Sequence, residues 1–135
     1  MKTRLGHLQL GIDEANAGFY RDLMTFLGWD VLYDGEGMPG IGSGEASLWF
    51  STKTSEHRND YDGAGLNHIG IGADSQADVD ATVAWLAGRG VAALFETPRH
   101  RPEFAAGDEE TYYQVMFESP DRILFEVVYT GPKTE

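Results

Sequence analysis

The strongest constraint on the fold is that one short pattern occurs twice. Gly6-His7-Leu8-Gln9-Leu10-Gly11 aligns with Asn67-His68-Ile69-Gly70-Ile71-Gly72 at an offset of 61 residues, histidine on histidine and aliphatic on aliphatic, and Asp74 falls on Asp13 at the same offset. A chain of 135 residues that repeats itself halfway is expected to fold as two similar units. One such unit would leave a sheet face without cover, so pairing the units is the economical way to bury both.

Each half reads as a strand, a helix and two or three further strands. In the first, the alternation of Leu5–Leu10 predicts a strand. From Ala15 to Leu27 the apolar residues Phe19, Leu23 and Phe26 or Leu27 make a helical stripe, which Gly28 stops. Strands are predicted at Trp29–Tyr33 and Ala46–Phe50, joined by a glycine-rich connection from Asp34 to Gly44. Residues 51–65 are polar and read as a linker or lid between a first module over 5–50 and a second over 66–130, the whole 1–135 forming a single domain. In the second half, Val79, Val83 and Leu86 form a helical face with Trp85 at its edge, and Gly88-Arg89-Gly90 ends the helix. Strands follow at Val91–Phe95, Tyr112–Phe117 and Ile123–Tyr129, with turn chemistry at Ser119-Pro120-Asp121-Arg122.

Composition excludes several function classes. Cysteine is absent, so neither disulfide nor thiolate chemistry is available. Acidic side chains outnumber basic ones by 22 to 10, and a net charge of −12 disfavours nucleic acid and anionic lipid. No apolar run is long enough to span a membrane, and Met1-Lys2-Thr3-Arg4 leads into the first strand without a secretory apolar region, so the expected location is cytoplasmic.

The chemistry concentrates in three residues. His7 and His68 occupy equivalent places in the repeat, each opposite its flanking aliphatic residues. Glu126 lies in an otherwise apolar strand, sharing a face with Leu124 and Val128, where a carboxylate is costly to bury unless paired or metal-bound. Two imidazoles and a carboxylate suit one divalent metal ion, here iron, manganese, zinc or nickel. Separations of 61 and 58 residues mean that the fold, not a compact motif, must assemble the set.

Gly6-His7-Leu8, Gly18-Phe19-Tyr20-Arg21-Asp22, Leu27-Gly28-Trp29, Leu48-Trp49-Phe50, Asn67-His68-Ile69-Gly70 and the run from Tyr112 to Arg122 leading to Phe125-Glu126-Val127 resemble, in that order, the vicinal oxygen chelate superfamily. That group includes glyoxalase I, fosfomycin- and bleomycin-resistance proteins and extradiol dioxygenases. The resemblance implies an α+β fold of two βαβββ modules, whose sheets form a cupped, partly open mixed barrel with flanking helices. On its pattern His7, His68 and Glu126 match the metal ligands. Glyoxalase I commonly carries a further glutamate on the last strand of its first module; aligning Leu48-Trp49-Phe50 with Phe125-Glu126-Val127 puts Trp49 there, a departure from glyoxalase I. Where many relatives have an aspartate-proline-aspartate-glycine turn, this chain has Arg122 in the glycine place, which implies another backbone state or a left-handed arginine.

Such a site leaves coordination positions for a small substrate that chelates through adjacent oxygens, in an extradiol-type dioxygenase or a lyase or isomerase. Glu126, Tyr112 and His57 are the candidate catalytic residues, with His100 and Tyr113 as further candidates for proton transfer, as acid or as base. Arg99-His100-Arg101 is a local basic patch able to meet a substrate carboxylate. The alternative of another class is a bleomycin-resistance-like protein that sequesters a small molecule in an aromatic pocket without turnover. The resemblance and the short open sheets also imply a homodimer, with the modules paired within one chain or exchanged between two.

Overall fold

The structure is a computed structural model that describes residues 1–134. It divides into two compact units, Met1–Arg58 and the residues from Asn59 onward.

The first unit is β1 (His7–Ile12), a single 3-10 turn at Glu14–Asn16, α1 (Ala17–Phe26), β2 (Asp30–Gly35), β3 (Met38–Gly42) and β4 (Ser47–Thr52). Its sheet has the order β1-β4-β3-β2, with β1 parallel to β4 and the other pairs antiparallel. Asp13 caps the entry to the helical segment by accepting from the Ala15 N–H at 3.0 Å. The helix does not bury the expected face. Tyr20, Leu23 and Met24 are fully buried, whereas Phe26 is exposed and Phe19 half-buried. Both stripes fit a 3.6-residue period; the sheet chooses the one in which Tyr20 stacks on Phe50, ring centroids 4.7 Å apart.

The connection predicted from Asp34 to Gly44 contains a whole strand, β3. Its sequence, Met38-Pro39-Gly40-Ile41-Gly42, has the composition of a loop. It pairs with β4 only over Gly40–Gly42, so Pro39, which has no N–H to give, lies outside that ladder. Gly40 is opposite Trp49, and a Cβ there would stand 2.3 Å from the indole: the glycine is the floor on which Trp49 lies.

The second unit repeats the plan: β5 (Ile69–Ala73), α2 (Gln76–Gly88), β6 (Leu94–His100), β7 (Glu110–Glu118) and β8 (Leu124–Pro132), in the order β5-β8-β7-β6 with β5 parallel to β8. Each unit is thus βαβββ, and neither four-stranded sheet closes on itself. Ser75 caps α2 by accepting from the Asp78 N–H at 3.1 Å. The buried face of α2 is Gln76, Val79, Thr82 and Leu86, with Thr82 satisfied by the Asp78 carbonyl at 2.8 Å. Trp85 stays half-buried at the edge, under the Arg89 guanidinium.

Two sequence expectations shift here. The strand expected at Val91–Phe95 starts instead at Leu94, and its ladder with β7 breaks between Leu94 and Arg99. Phe95 and Glu96 have left-handed backbones at φ 57° and 61°, and the Thr97 hydroxyl takes over part of the ladder, accepting from the Met116 N–H at 3.0 Å and donating to the Leu94 carbonyl at 2.6 Å. The stretch expected as a linker is fixed at both ends: β4 runs on to Thr52, and Tyr61 is buried against Met116 and Leu124 in the second unit. Among the described residues no helix is long and apolar enough to cross a membrane.

Candidate functional site

The parallel pairing of β5 with β8 sets Gly70 directly opposite Glu126. In the first unit the equivalent pairing of β1 with β4 sets Gln9 opposite Trp49. Register therefore bears out the alignment made from sequence, with Trp49 in the place that Glu126 holds in the second unit.

Glu126 is 3% exposed, and three side chains of its own unit surround it. The Tyr112 hydroxyl lies 3.0 Å from Oε1 and 2.9 Å from Oε2, the Gln114 amide donates from Nε2 to Oε2, and His68 places Nε2 at 3.5 Å from Oε1. Strand alternation explains the company. Tyr112, Gln114 and Met116 share one face of β7, and Met116 is the register partner of Glu126. Tyr113, Val115 and Phe117 point to the other face, where Tyr113 donates to Asp80 of α2 at 2.6 Å and Phe117 stacks on Phe125.

His68 precedes β5 and keeps about a third of its side chain exposed, at 36%. Its Nδ1 is 2.8 Å from the Asn67 Oδ1, an oxygen that can only accept, and Asn67 is itself held by its Nδ2 donating to the Tyr61 carbonyl at 2.9 Å. The proton of the neutral ring is thereby assigned to Nδ1, leaving the Nε2 lone pair facing Glu126. A nitrogen and a carboxylate oxygen sharing one tetrahedral metal at bond lengths of about 2.1 Å stand about 3.4 Å apart. The 3.5 Å between His68 and Glu126 fits that requirement, and Asn67 supplies the outer partner that metal-bound histidines use. Among the described residues no third histidine, cysteine, aspartate or glutamate joins them, and no other group of three such side chains that could hold a metal ion is found.

Tyr112 is held protonated. Burial, reinforced by the Glu126 carboxylate, pushes its hydroxyl up to about 12, so at neutral pH it donates to that carboxylate. Of the other candidates, His7 opens β1 of the first unit, exposed and in register with Ser47. His57 is in the exposed stretch after β4, its backbone N–H donating to Ser55 Oγ at 3.3 Å. His100 pairs through Nδ1 with the Thr111 hydroxyl and packs on the Tyr113 ring. The second unit thus brings together Glu126, His68 and Tyr112, while His7 and His57 belong to the first.

Around Glu126 opens a cavity of about 470 Å³ whose apolar wall includes Phe95, Phe104, Met116 and Leu124. Sequence reasoning missed Gln114 and the orienting role of Asn67. The face alternation of β7 could have exposed Gln114, since a glutamine two residues from Tyr112 in a buried strand needs a partner.

The family model described as the Glyoxalase/Bleomycin resistance protein/Dioxygenase superfamily matches residues 4–127. The chain belongs to that superfamily. A protein of Bacillus halodurans provisionally named a glyoxalase has a similar structure, at a TM-score of 0.76 and 27% identity over 93% of this chain and 94% of that one. Two others share the fold: a glyoxalase/bleomycin resistance protein from Albidiferax ferrireducens T118, TM-score 0.72 at 19% identity over 93% and 98%, and a lactoylglutathione lyase from Agrobacterium tumefaciens, TM-score 0.67 at 20% identity over 96% and 95%. In sequence, the uncharacterized protein YqjT of Bacillus subtilis (strain 168) is 41% identical over 64 residues, which is 47% of this chain. The match spans a little under half of that relative's length, 46%. The arginine that replaces glycine in the turn before β8 is left-handed, Arg122 at φ 58°, with its guanidinium over the Tyr61 ring and 3.6 Å from Glu118.

Proposed function

We propose that this superfamily member is a divalent-metal-dependent enzyme of lyase or isomerase type, acting on a small substrate that chelates through two adjacent oxygens. The observation that carries the reading is the pair formed by His68 Nε2 and the buried Glu126, with a protonated Tyr112 on both oxygens of that carboxylate. His68 and Glu126 would be two of the ligands, and His7 would be the third. When bound, the metal would polarise the substrate oxygens and stabilise the negative charge that develops on them.

The chain's own residues divide the remaining work. Asn67 holds the His68 ring in one tautomer. Gln114 and Tyr112 hold the Glu126 carboxylate in place by donating to its oxygens. A second reading, sequestration without turnover, draws support from Phe95 and Phe104, exposed large side chains at the mouth of the cavity.

Calorimetric titration with Mn²⁺ tests the proposal. Glu126→Gln, His68→Ala and His7→Ala are each expected to lose more than the roughly tenfold to hundredfold that removal of an outer partner costs. Wild-type affinity in Glu126→Gln and His68→Ala would sink the assignment. Oxygen uptake on catechols by the metal-loaded protein would move the reaction to the dioxygenase branch.

A further inference from the structure

The cavity beside Glu126 has one arginine or lysine in its lining, Arg101, in a protein whose net charge is −12. Its guanidinium is held on three sides. Nε donates to Glu103 at 2.7 Å, Nη1 donates to the Gln114 Oε1 at 3.1 Å, and the Phe104 ring lies 5.1 Å beneath. Nη2 makes no hydrogen bond among the described residues.

Gln114 is 3% exposed and both ends of its amide are used, oxygen toward Arg101 and nitrogen toward Glu126. One buried glutamine therefore spans the distance between the cation and the carboxylate, so a small molecule can reach both. Glu103 offsets part of the charge, but it is half-exposed, at 54%, and takes only the Nε side. The lining also carries the carboxylate of Asp62, while Phe95, Phe104, Met116 and Leu124 make its apolar part, with Phe95 on a left-handed backbone that a phenylalanine adopts only at a cost.

We infer that Arg101 is a specificity-determining residue and that the cavity takes small carboxylate-bearing molecules with an apolar, preferably aromatic, body, the carboxylate on the guanidinium and the body against Phe104 and Phe95. The inference rests on the reading of this cavity as the substrate site. It adds the charge and shape of the substrate to the chelating end provided at His68 and Glu126. An arginine already ordered by Gln114 and Phe104 loses little further freedom on binding an anion, which is why it discriminates.

The test compares phenylacetate with its neutral analogue phenylacetamide by calorimetry on the full chain in the presence of a chelator, where no metal can hold the carboxylate. Wild type is expected to prefer the acid by at least about tenfold, the low end for a hydrogen bond to a charged partner. Arg101→Gln is expected to abolish that preference while binding the amide as wild type does, which also shows that the cavity is intact. Arg101→Lys, which keeps the charge but not the fork, is expected to retain part of it. Equal binding of acid and amide, a preference that survives Arg101→Gln, or no saturable binding of either probe overturns the inference. The Mn²⁺ titration of the same preparation separates the two failures: metal binding without acid preference removes only this inference, and acid preference without metal binding removes only the metal-dependent reading.

Discussion

Gly70 and Glu126 are register partners across the parallel β5–β8 pair, and a Cβ at Gly70 would stand 3.0 Å from the Glu126 Oε1. The glycine is the space into which the carboxylate fits. Gly70→Ala is expected to push Glu126 off the line to His68 and weaken Mn²⁺ binding about tenfold, with little change in stability because position 70 is exposed. Calorimetry and urea unfolding read the two effects separately. Unchanged metal affinity would show that the carboxylate is placed by other contacts.

Tyr112 and Gln114 compensate a buried carboxylate, and deleting one donor should be felt in the fold itself. Tyr112→Phe is expected to destabilise the protein by about 1–3 kcal/mol, the cost of leaving a buried group without its partner. In a Glu126→Gln background the same substitution should cost clearly less, because the charge it served is gone. Equal losses in both backgrounds would mean that the hydroxyl packs and does not bond.

Asn67→Ala removes the oxygen that accepts from His68 Nδ1. Metal affinity is expected to fall roughly tenfold to hundredfold, as for other outer partners of metal-bound histidines. Nitrogen NMR of the His68 ring should show a single Nδ1–H tautomer in wild type and a mixture in the variant.

Alkaline titration gives a further test. Burial, with Asp80 beside one ring and Glu126 beside the other, pushes both Tyr113 and Tyr112 up to about 12 from the ordinary 10.0. Each folded-state pKa is raised, so the native protein keeps protons that the unfolded chain releases. The stabilisation is complete below pH 10 and is lost as pH rises towards 12. Unfolding free energy should therefore fall across that window, and Tyr113→Phe should flatten the fall while leaving Mn²⁺ binding at neutral pH unchanged.

Much of the architecture is legible without coordinates. The offset of 61 residues between His7 and His68 announces two similar units, and periodicity locates both helices and most strands. What periodicity could not separate were solutions of equal local quality. The stripe at Phe19, Leu23 and Phe26 and the one at Tyr20, Leu23 and Met24 differ only in which face meets the sheet. Strand β3 was hidden because Met38-Pro39-Gly40-Ile41-Gly42 has the residue types of a loop, and its glycine at position 40 is required by the Trp49 ring across the ladder, a neighbour nine residues away.

The candidate site divides along the same line. The sequence alone singled out the candidates: a repeated histidine and a glutamate in an apolar strand are chemical anomalies visible one at a time, because burying such groups unpaired is costly wherever the strand lies. Only the tertiary structure decided how they are held. That Tyr112 faces Glu126 while Tyr113 faces Asp80, that Gln114 links Arg101 to the carboxylate, and that Asn67 turns the His68 Nε2 inward all follow from strand register and side-chain reach. Hydrogen bonds are made or lost over fractions of an ångström, and a residue's neighbours at that scale are fixed only once β7 and β8 are in register.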